Sequence, residues 1–466
     1  LGLTSALVYW FGLVQLTPLL ANLNIPLQDL GKITGYRWEA AGQFGGSLVA
    51  LYGMYILGYR WCGLATGKLE PIVVAVCALG FCCLLIFAYP STAADVFDYI
   101  MQLRVLWKYG ANPHSTAPSF FDQDPFLPYI AWTGFSSPYA PLWTWIATPA
   151  SLLGGEDLLG SVLAFKGFAV LLYAICAALI WAILAGHSPI RRLRGLYIFA
   201  WNPLVLWEVA GNAHNDVTML AFTLLGILAI QRRRDDLALL GLVAAGLVKF
   251  TNGLLAPLAL ARSLREPQVR WPMVAAGLGY SLVLSLVIIY PFWEGLETLK
   301  GLVAQGRKMT TSLASLISIV WQTTTGDTPP LDNVAIVVVG LFTVLYLREV
   351  LRPDLAQQDF ADSAFRVMFY FIAIAVVWFQ PWYLISLLVL AAVSSSQFYA
   401  RLAMLYSMTG MFAYLLFIYF WVNNWNNIGV PEIQATGALA IHGLPVGWYV
   451  CHWWRERSSN ARALRR

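Results

Sequence analysis

The feature that most constrains this chain is a series of apolar segments, each long enough to cross a lipid bilayer. Runs over 1–22, 42–59, 71–89, 159–186, 271–291, 333–349, 402–421 and 433–450 carry almost no charge. A hydrocarbon core about 30 Å thick needs about 20 such residues in helical form. Shorter or broken runs lie at 138–153, 195–211, 216–231, 237–262, 365–379 and 382–397. Composition agrees. Of 466 residues, 59% are hydrophobic and 11% charged, with a mean hydropathy of +0.65, whereas soluble domains carry about a quarter charged residues. The expected fold is all-α: a polytopic transmembrane protein of about 11–14 helices, some broken or re-entrant. A single unit over 1–466 is expected, with a large polar loop at 90–137 and C-terminal helices over 386–466. The sequence opens at Leu1 in an apolar helix with no basic stretch before it, so no removable signal peptide is expected. The six cysteines mostly sit inside apolar runs and show no metal-site spacing.

Loop charges orient the helices. The net charge is +5, and Lys and Arg cluster in short loops: Arg60 and Lys68, Arg191 to Arg194, Arg232 to Arg234, Arg262 to Arg270, Arg348 and Arg352, Arg401, and the tail from Arg455. These read as cytoplasmic, and not as a nucleic-acid surface. The 90–137 region then faces outward. Between that region and Arg191 the chain crosses an odd number of times, yet two runs are present. The first, 138–153, holds Pro138, Pro141 and Pro149 and reads as re-entrant or interfacial. Two hairpins, 195–231 and 237–262, have polar tips at Gly211–Asn215 and Lys249–Asn252. Broken helices survive at membrane depth only around a cavity or water, so these tips predict a cavity open to the outer face.

Several polar constellations interrupt the apolar pattern. Ser91-Thr92-Ala93-Ala94-Asp95-Val96-Phe97-Asp98-Tyr99 follows the third long run. It is either a solvated helix end capped by Asp95 or part of a site. The 90–137 loop and its exit supply Asn112 in Tyr109-Gly110-Ala111-Asn112-Pro113, and Tyr139 in Ser137-Pro138-Tyr139-Ala140-Pro141. Aromatic, amide and carboxylate groups of this kind bind sugars, although interfacial belts look similar. His214, Asn215 and Asp216 at one tip are equally suited to bonding hydroxyls and to satisfying their own turn. Lys249 at the other tip is an intramembrane cation and so a functional candidate, suited to a lipid phosphate. Arg307 and Lys308 form a second cationic pair, for which a solvated loop is the slightly favoured reading. Trp382 and Tyr383 in Gln380-Pro381-Trp382-Tyr383 serve as an interface anchor or as a wall for lipid or sugar. There is no P-loop and no Gly-rich dinucleotide motif, which argues against an ATP-driven pump.

In this order, the motifs Asp95-Val96-Phe97-Asp98-Tyr99, Tyr109-Gly110-x-Asn112-Pro113, Ser137-Pro138-Tyr139-x-Pro141-Leu142-Trp143, Trp201-Asn202-Pro203, Gly211-Asn212-Ala213-His214-Asn215-Asp216, Lys249 and Gln380-Pro381-Trp382-Tyr383 resemble those of the GT-C superfamily of membrane glycosyltransferases. They are most similar to the polyprenyl-phosphate-mannose-dependent α-mannosyltransferases of bacterial cell envelopes. The resemblance covers about 71–385. It implies a lipid-linked donor, a glycolipid or glycan acceptor, a bacterial plasma-membrane location with the site on the outer face, and an acidic catalytic residue in the first large loop. Asp95 matches that position, with Asp98 as the alternate. His114, where Tyr often follows Asn-Pro, and Ala140, where Gly is usual, depart from the pattern and bear on acceptor choice. The implied reaction is an inverting transfer with one carboxylate as base and Lys249, Arg307 or Lys308 on the donor phosphate. No cofactor is expected. A divalent metal is not favoured, Asp122 and Asp124 being the residues that would contribute. The rival reading is a transporter or flippase for a lipid-linked saccharide.

Overall fold

The computed structural model describes residues 1–463 apart from 65–66, 68, 306–307, 328–330 and 425. Lys68, Arg307 and the final arginines of the tail therefore lie outside the described residues. Among those described there is no β-strand, and the chain folds as a helical membrane protein. Among the described residues five helices are long and apolar enough to cross a membrane: Trp38–Trp61, Leu158–Ile183, Trp271–Phe292, Asp332–Val350 and Gln397–Trp421. Shorter apolar helices cover Gly2–Val14, Glu70–Leu85, Asp216–Gln231 and Pro381–Val393.

The long runs 1–22 and 71–89 thus yield helices that stop early. Prolines explain both. Pro18 and Pro90 disfavour helical backbone in the residue before each of them. The freed segments pair with each other instead, through Leu19 N–H to Phe87 O at 2.8 Å and Tyr89 N–H to Thr17 O at 2.7 Å. Elsewhere helix starts follow side-chain caps on otherwise unpaired N–H groups. Asp157 accepts from Gly160, Ser188 from Arg191, Asn202 from Leu204, Asp359 from Ala361 and Ser396 from Tyr399.

One continuous apolar core runs from Tyr9 to Tyr449. Within it, Asp216–Gln231 and Asp235–Val248 form a tight helical hairpin between Leu158–Ile183 and Trp271–Ile289. The 138–153 run becomes the 14-residue helix Pro141–Gly154, about 21 Å long at 1.5 Å per residue. It packs against Leu158–Ile183 and against the helix that begins at Asp95.

Helix polarity separates two chemistries. Asp216–Gln231 runs from Asp216 to the arginines at 232–234, and the next helix returns from Asp235 to Lys249. Leu384–Val393 likewise leads from Tyr383 to Ser394, whose carbonyl binds Arg191. The basic loops and the polar tips therefore occupy opposite ends of the same helices, about 24 Å apart along a 16-residue helix.

Candidate active site

Asp95–Trp107 is a 13-residue helix outside the membrane-spanning segments. Asp95 and Asp98 both fall in its first turn, where exposed N–H groups favour negative charge. The helix is anchored at its other end. Arg104, 4% exposed, grips Asp124 through Nε at 3.1 and 3.0 Å and through Nη2 at 2.9 Å. Tyr109 Oη donates to Asp124 at 2.7 Å, and so does the Phe126 N–H at 2.9 Å. Burial works to raise the Asp124 carboxyl, but the bonds from Arg104 hold it below the usual carboxylate range. Asp124, one of the residues considered for a metal, is thus committed to the loop scaffold, and Asp122 lies exposed at the surface.

Three chain breaks meet the start of this helix. Asp235–Val248 ends where the Lys249 backbone turns extended (φ −151°, ψ 121°), before a 3-10 turn at Phe250–Leu254. Glycine allows the bend, because a Cβ on Gly246 would lie 2.9 Å from Gly253 Cα. Phe360–Tyr370 widens into a π turn at Phe371–Ala375, and the chain restarts helically at Pro381–Tyr383. Pro381 lacks an N–H and keeps Gln380 extended. The hairpin tip holds Ala213 at φ 60°, a left-handed conformation that is costly for a buried residue with a Cβ. Of the two hairpin tips expected to line a cavity, the one with Lys249, Phe250 and Thr251 does so, and 211–215 does not.

The cavity measures about 980 Å³ including its open mouth, and its lining includes Asp95, Asp98, Gln102, Trp132, Phe135, Tyr139, Lys249, Lys308, Trp378, Trp382 and Tyr383. Asp95 keeps 24% of its side chain exposed and accepts from Tyr139 Oη at 3.2 Å. Asp98 is 6% exposed. Burial, and then the neighbouring Asp95, push its carboxyl well above the usual range. Lys249 Nζ sits 2.9 Å from both oxygens of Asp216, with the Tyr383 ring 5.3 Å away. Lys308 instead meets aromatic faces, 3.1 Å from the Trp132 centroid and 4.5 Å from Trp378. A short parallel pairing puts it there: Thr310 N–H donates to Val377 O, and Phe379 N–H to Thr310 O. Burial lowers the Lys308 ammonium, while Asp95 and Asp98 act in the opposite direction.

Two sequence expectations are placed away from the cavity. Asn112 is absent from the cavity lining. Its amide donates to Phe292 O at 2.9 Å and to Glu294 Oε1 at 3.0 Å, tying the loop to a distant turn. His214, Asn215 and Asp216 are at most 1% exposed and lie behind the wall, not on it. His214 stacks beneath Trp382 with ring centroids 4.1 Å apart. Lys249 lines the cavity and is paired there with Asp216. Arg307 lies outside the described residues.

The Trp132, Phe135 and Trp378 wall was not singled out from sequence, because nothing local marks it off from an interfacial belt. Nor was Lys166. It is fully buried in Leu158–Ile183, and its ammonium reaches Ala88 O and Ala210 O at 2.5 and 3.2 Å. It ties the segment before Asp95 to the hairpin that ends in His214. The reasoning that selected Lys249, a cation inside an apolar run, would have found it.

His114 adds a pH-sensitive joint in the same loop. It is 1% exposed, with Nε2 3.0 Å from Thr144 Oγ1, and burial pushes its imidazole down to about 4. The unfolded chain, with a His pKa near ~6.5, binds that proton first. Stability from this group is therefore complete above about pH 6.5 and is lost as pH falls through about 4. The loss approaches about 3 kcal/mol. Denaturation measured at pH 7 and pH 4.5 should show a smaller acid loss in His114→Gln than in the wild type.

A family model described as alpha-(1->6)-mannopyranosyltransferase, N-terminal domain, matches residues 1–265. Alpha-(1->6)-mannopyranosyltransferase A of Mycobacterium tuberculosis is 24% identical over 310 residues, covering 64% of this chain and 58% of the relative. Alpha-(1->6)-mannopyranosyltransferase B of Corynebacterium glutamicum is 30% identical over 223 residues, 43% of this chain and 36% of the relative. The A protein of that organism is 28% identical over 154 residues, 32% and 30% of the two chains. The chain thus spans between about a third and three-fifths of the length of these curated relatives. A match over more than half of the residues, on a helical membrane scaffold with an acidic, aromatic cavity, places the chain in the alpha-(1->6)-mannopyranosyltransferase family.

Proposed function

We propose that this protein is a mannosyltransferase that moves mannose from a polyprenyl-phosphate donor to a hydroxyl of a cell-envelope glycolipid or glycan, forming an α-(1→6) linkage with inversion. The site faces outward from a bacterial plasma membrane, as the basic loops at the far helix ends suggest. One observation carries the reading. A partly open carboxylate, Asp95, shares a single cavity with Lys249, Lys308 and the faces of Trp132, Trp378, Trp382 and Tyr383.

In this scheme Asp95 takes the acceptor proton as the acceptor oxygen bonds to the anomeric carbon. The bond from that carbon to the phosphate oxygen breaks, and its electron pair leaves with the phosphate. Asp98 suits the base role less well, since burial favours its protonated form. The leaving group is already a phosphate anion and needs charge stabilisation more than a proton. Among the described residues Lys308 packs on aromatic rings and makes no ion pair, with Asp95 and Asp98 acting on it only across the cavity, so its charge is open to a phosphate, whereas Asp216 already compensates much of the charge on Lys249. Lys308 is therefore the main phosphate partner, and Lys249 contributes a directed N–H. The scheme uses no metal.

Incubating the full chain in lipid nanodiscs with radiolabelled polyprenyl-phosphate mannose and an envelope glycolipid tests this. Label should enter the glycolipid, be insensitive to a chelator, and fall about 10²-fold in Lys308→Met. Intact donor crossing the bilayer without product would support a flippase instead. Activity lost to a chelator and restored by a divalent cation would overturn the metal-free scheme.

A further inference from the structure

Behind Asp95 lies a buried imidazole that the scheme above leaves idle. The two nitrogens of His214 face different carboxylates. Nε2 is 3.2 Å from Glu208 Oε2, and Nδ1 is 3.9 Å from Asp95 Oδ2. Asp216 Oδ2 also approaches Nδ1, at 4.0 Å, but Lys249 holds both oxygens of that carboxylate. Glu208 is itself fixed. Fully buried, it accepts from Tyr414 Oη at 2.6 Å and from Asn212 Nδ2 at 2.9 Å.

Carboxylates only accept hydrogen bonds. At 3.2 Å, without an aligned hydrogen bond, Glu208 favours hydrogen on Nε2 of the neutral ring, which leaves the lone pair on Nδ1, facing Asp95, while the three surrounding carboxylates stabilise the imidazolium. The 3.9 Å separation is one that a small rotation or a single bridging water closes. Trp382, stacked on the ring, keeps substrate away from it. Any role of His214 in the reaction runs through Asp95.

We infer that His214 is a positioning residue that receives, through Asp95, the proton taken from the acceptor hydroxyl. This rests on the mannosyl-transfer reading above, with Asp95 as base. The balance is simple. The acceptor O–H breaks and its proton joins Asp95. The Asp95 O–H then breaks and the proton binds Nδ1, giving an imidazolium held against Glu208. Asp95 is restored as a carboxylate, and the proton returns to solvent by the same route once product leaves. The charges facing the ring are Asp95, Glu208 and Asp216. Lys249 acts behind Asp216, and Lys308 faces Asp95 from the cavity side.

The test is a pH profile of kcat from pH 5 to 9 for the full-length wild type, His214→Gln and Glu208→Gln, using radiolabelled polyprenyl-phosphate mannose. In the wild type kcat should fall on the acid side as His214 becomes protonated and can no longer accept. His214→Gln should lose that limb, and its kcat at neutral pH should drop about tenfold with donor KM unchanged, a modest share of the general-base effect. Glu208→Gln should keep the limb but move it to lower pH, because the imidazolium loses its anionic neighbour. An unmoved limb in both variants, or an equal fall at every pH in His214→Gln, would overturn the inference and mark the ring as packing for Trp382. Should His214→Gln fail to fold, the limb shift in Glu208→Gln decides alone. Asp95→Asn, assayed alongside, separates the two readings. Full activity there removes the base assignment itself, while an inactive Asp95→Asn with an unmoved limb removes only the role of His214.

Discussion

Asp95→Asn is expected to lower mannosyl transfer by about 10²–10⁴-fold, the range for losing a general base. The amide is almost isosteric and can still accept from Tyr139 Oη, so thermal stability in detergent should stay close to wild type. Donor binding should also hold, since on the proposed reading the donor phosphate meets Lys308 and Lys249, not the carboxylate. The loss therefore belongs in kcat, with donor KM little changed. Asp98→Asn is the informative companion. Asp98 is buried and favours its neutral form, which asparagine imitates, so that variant should keep most of its activity. The reverse pattern, an active Asp95→Asn and an inactive Asp98→Asn, would reassign the base.

The second large effect concerns folding. Asp124→Ala removes the carboxylate that meets Arg104, Tyr109 and the Phe126 N–H at once. Arg104 is left buried with only Glu156 Oε2, at 2.8 Å, as an anionic partner. Breaking a buried ion pair from one side costs about 3–5 kcal/mol. Glu156→Gln offers the contrast. That side chain is 67% exposed, and its pairing is expected to contribute at most about 1 kcal/mol. Denaturation curves of the two variants should differ accordingly. Asp124→Ala should also lose activity, because Arg104 and Asp95 lie on one helix and Trp132 follows the anchored loop. Equal stability of both variants would mean that the loop is held by something other than this cluster.

The helical membrane architecture was legible because its signal is local: uninterrupted apolar runs, with Pro and polar tips marking breaks. Of the two polar tips that suggested a cavity, the one at Lys249 lines it and the one at Gly211–Asn215 does not. What could not be read were pairings between segments far apart in sequence. Asn112 looked like a sugar ligand until its amide was found spent on Phe292 and Glu294, about 180 positions away. The three polar residues at 214–216 were recognised as unusual, but burial behind Trp382 depends on how another hairpin packs. The partner of Lys249, Asp216, sits 33 positions earlier, and no local pattern marks the pairing. The aromatic wall around Lys308 requires three segments to meet, and no one of them announces it.

The short helices that end at the cavity carry a consequence for the substrates. Asp216–Gln231 has 16 residues and Leu384–Val393 only 10, about 24 and 15 Å of rise against a nonpolar slab of about 30 Å. On the proposed mannosyl-transfer reading, elements that short would set the reacting carbon below the headgroup plane, inside the greasy layer. A saccharide acceptor would then have to descend to meet its donor, and only the tip of a long polymer could do so without dragging a hydrated chain along. Membrane thickness itself becomes a variable of the reaction: a thicker leaflet deepens the shaft and a thinner one lifts its floor toward water.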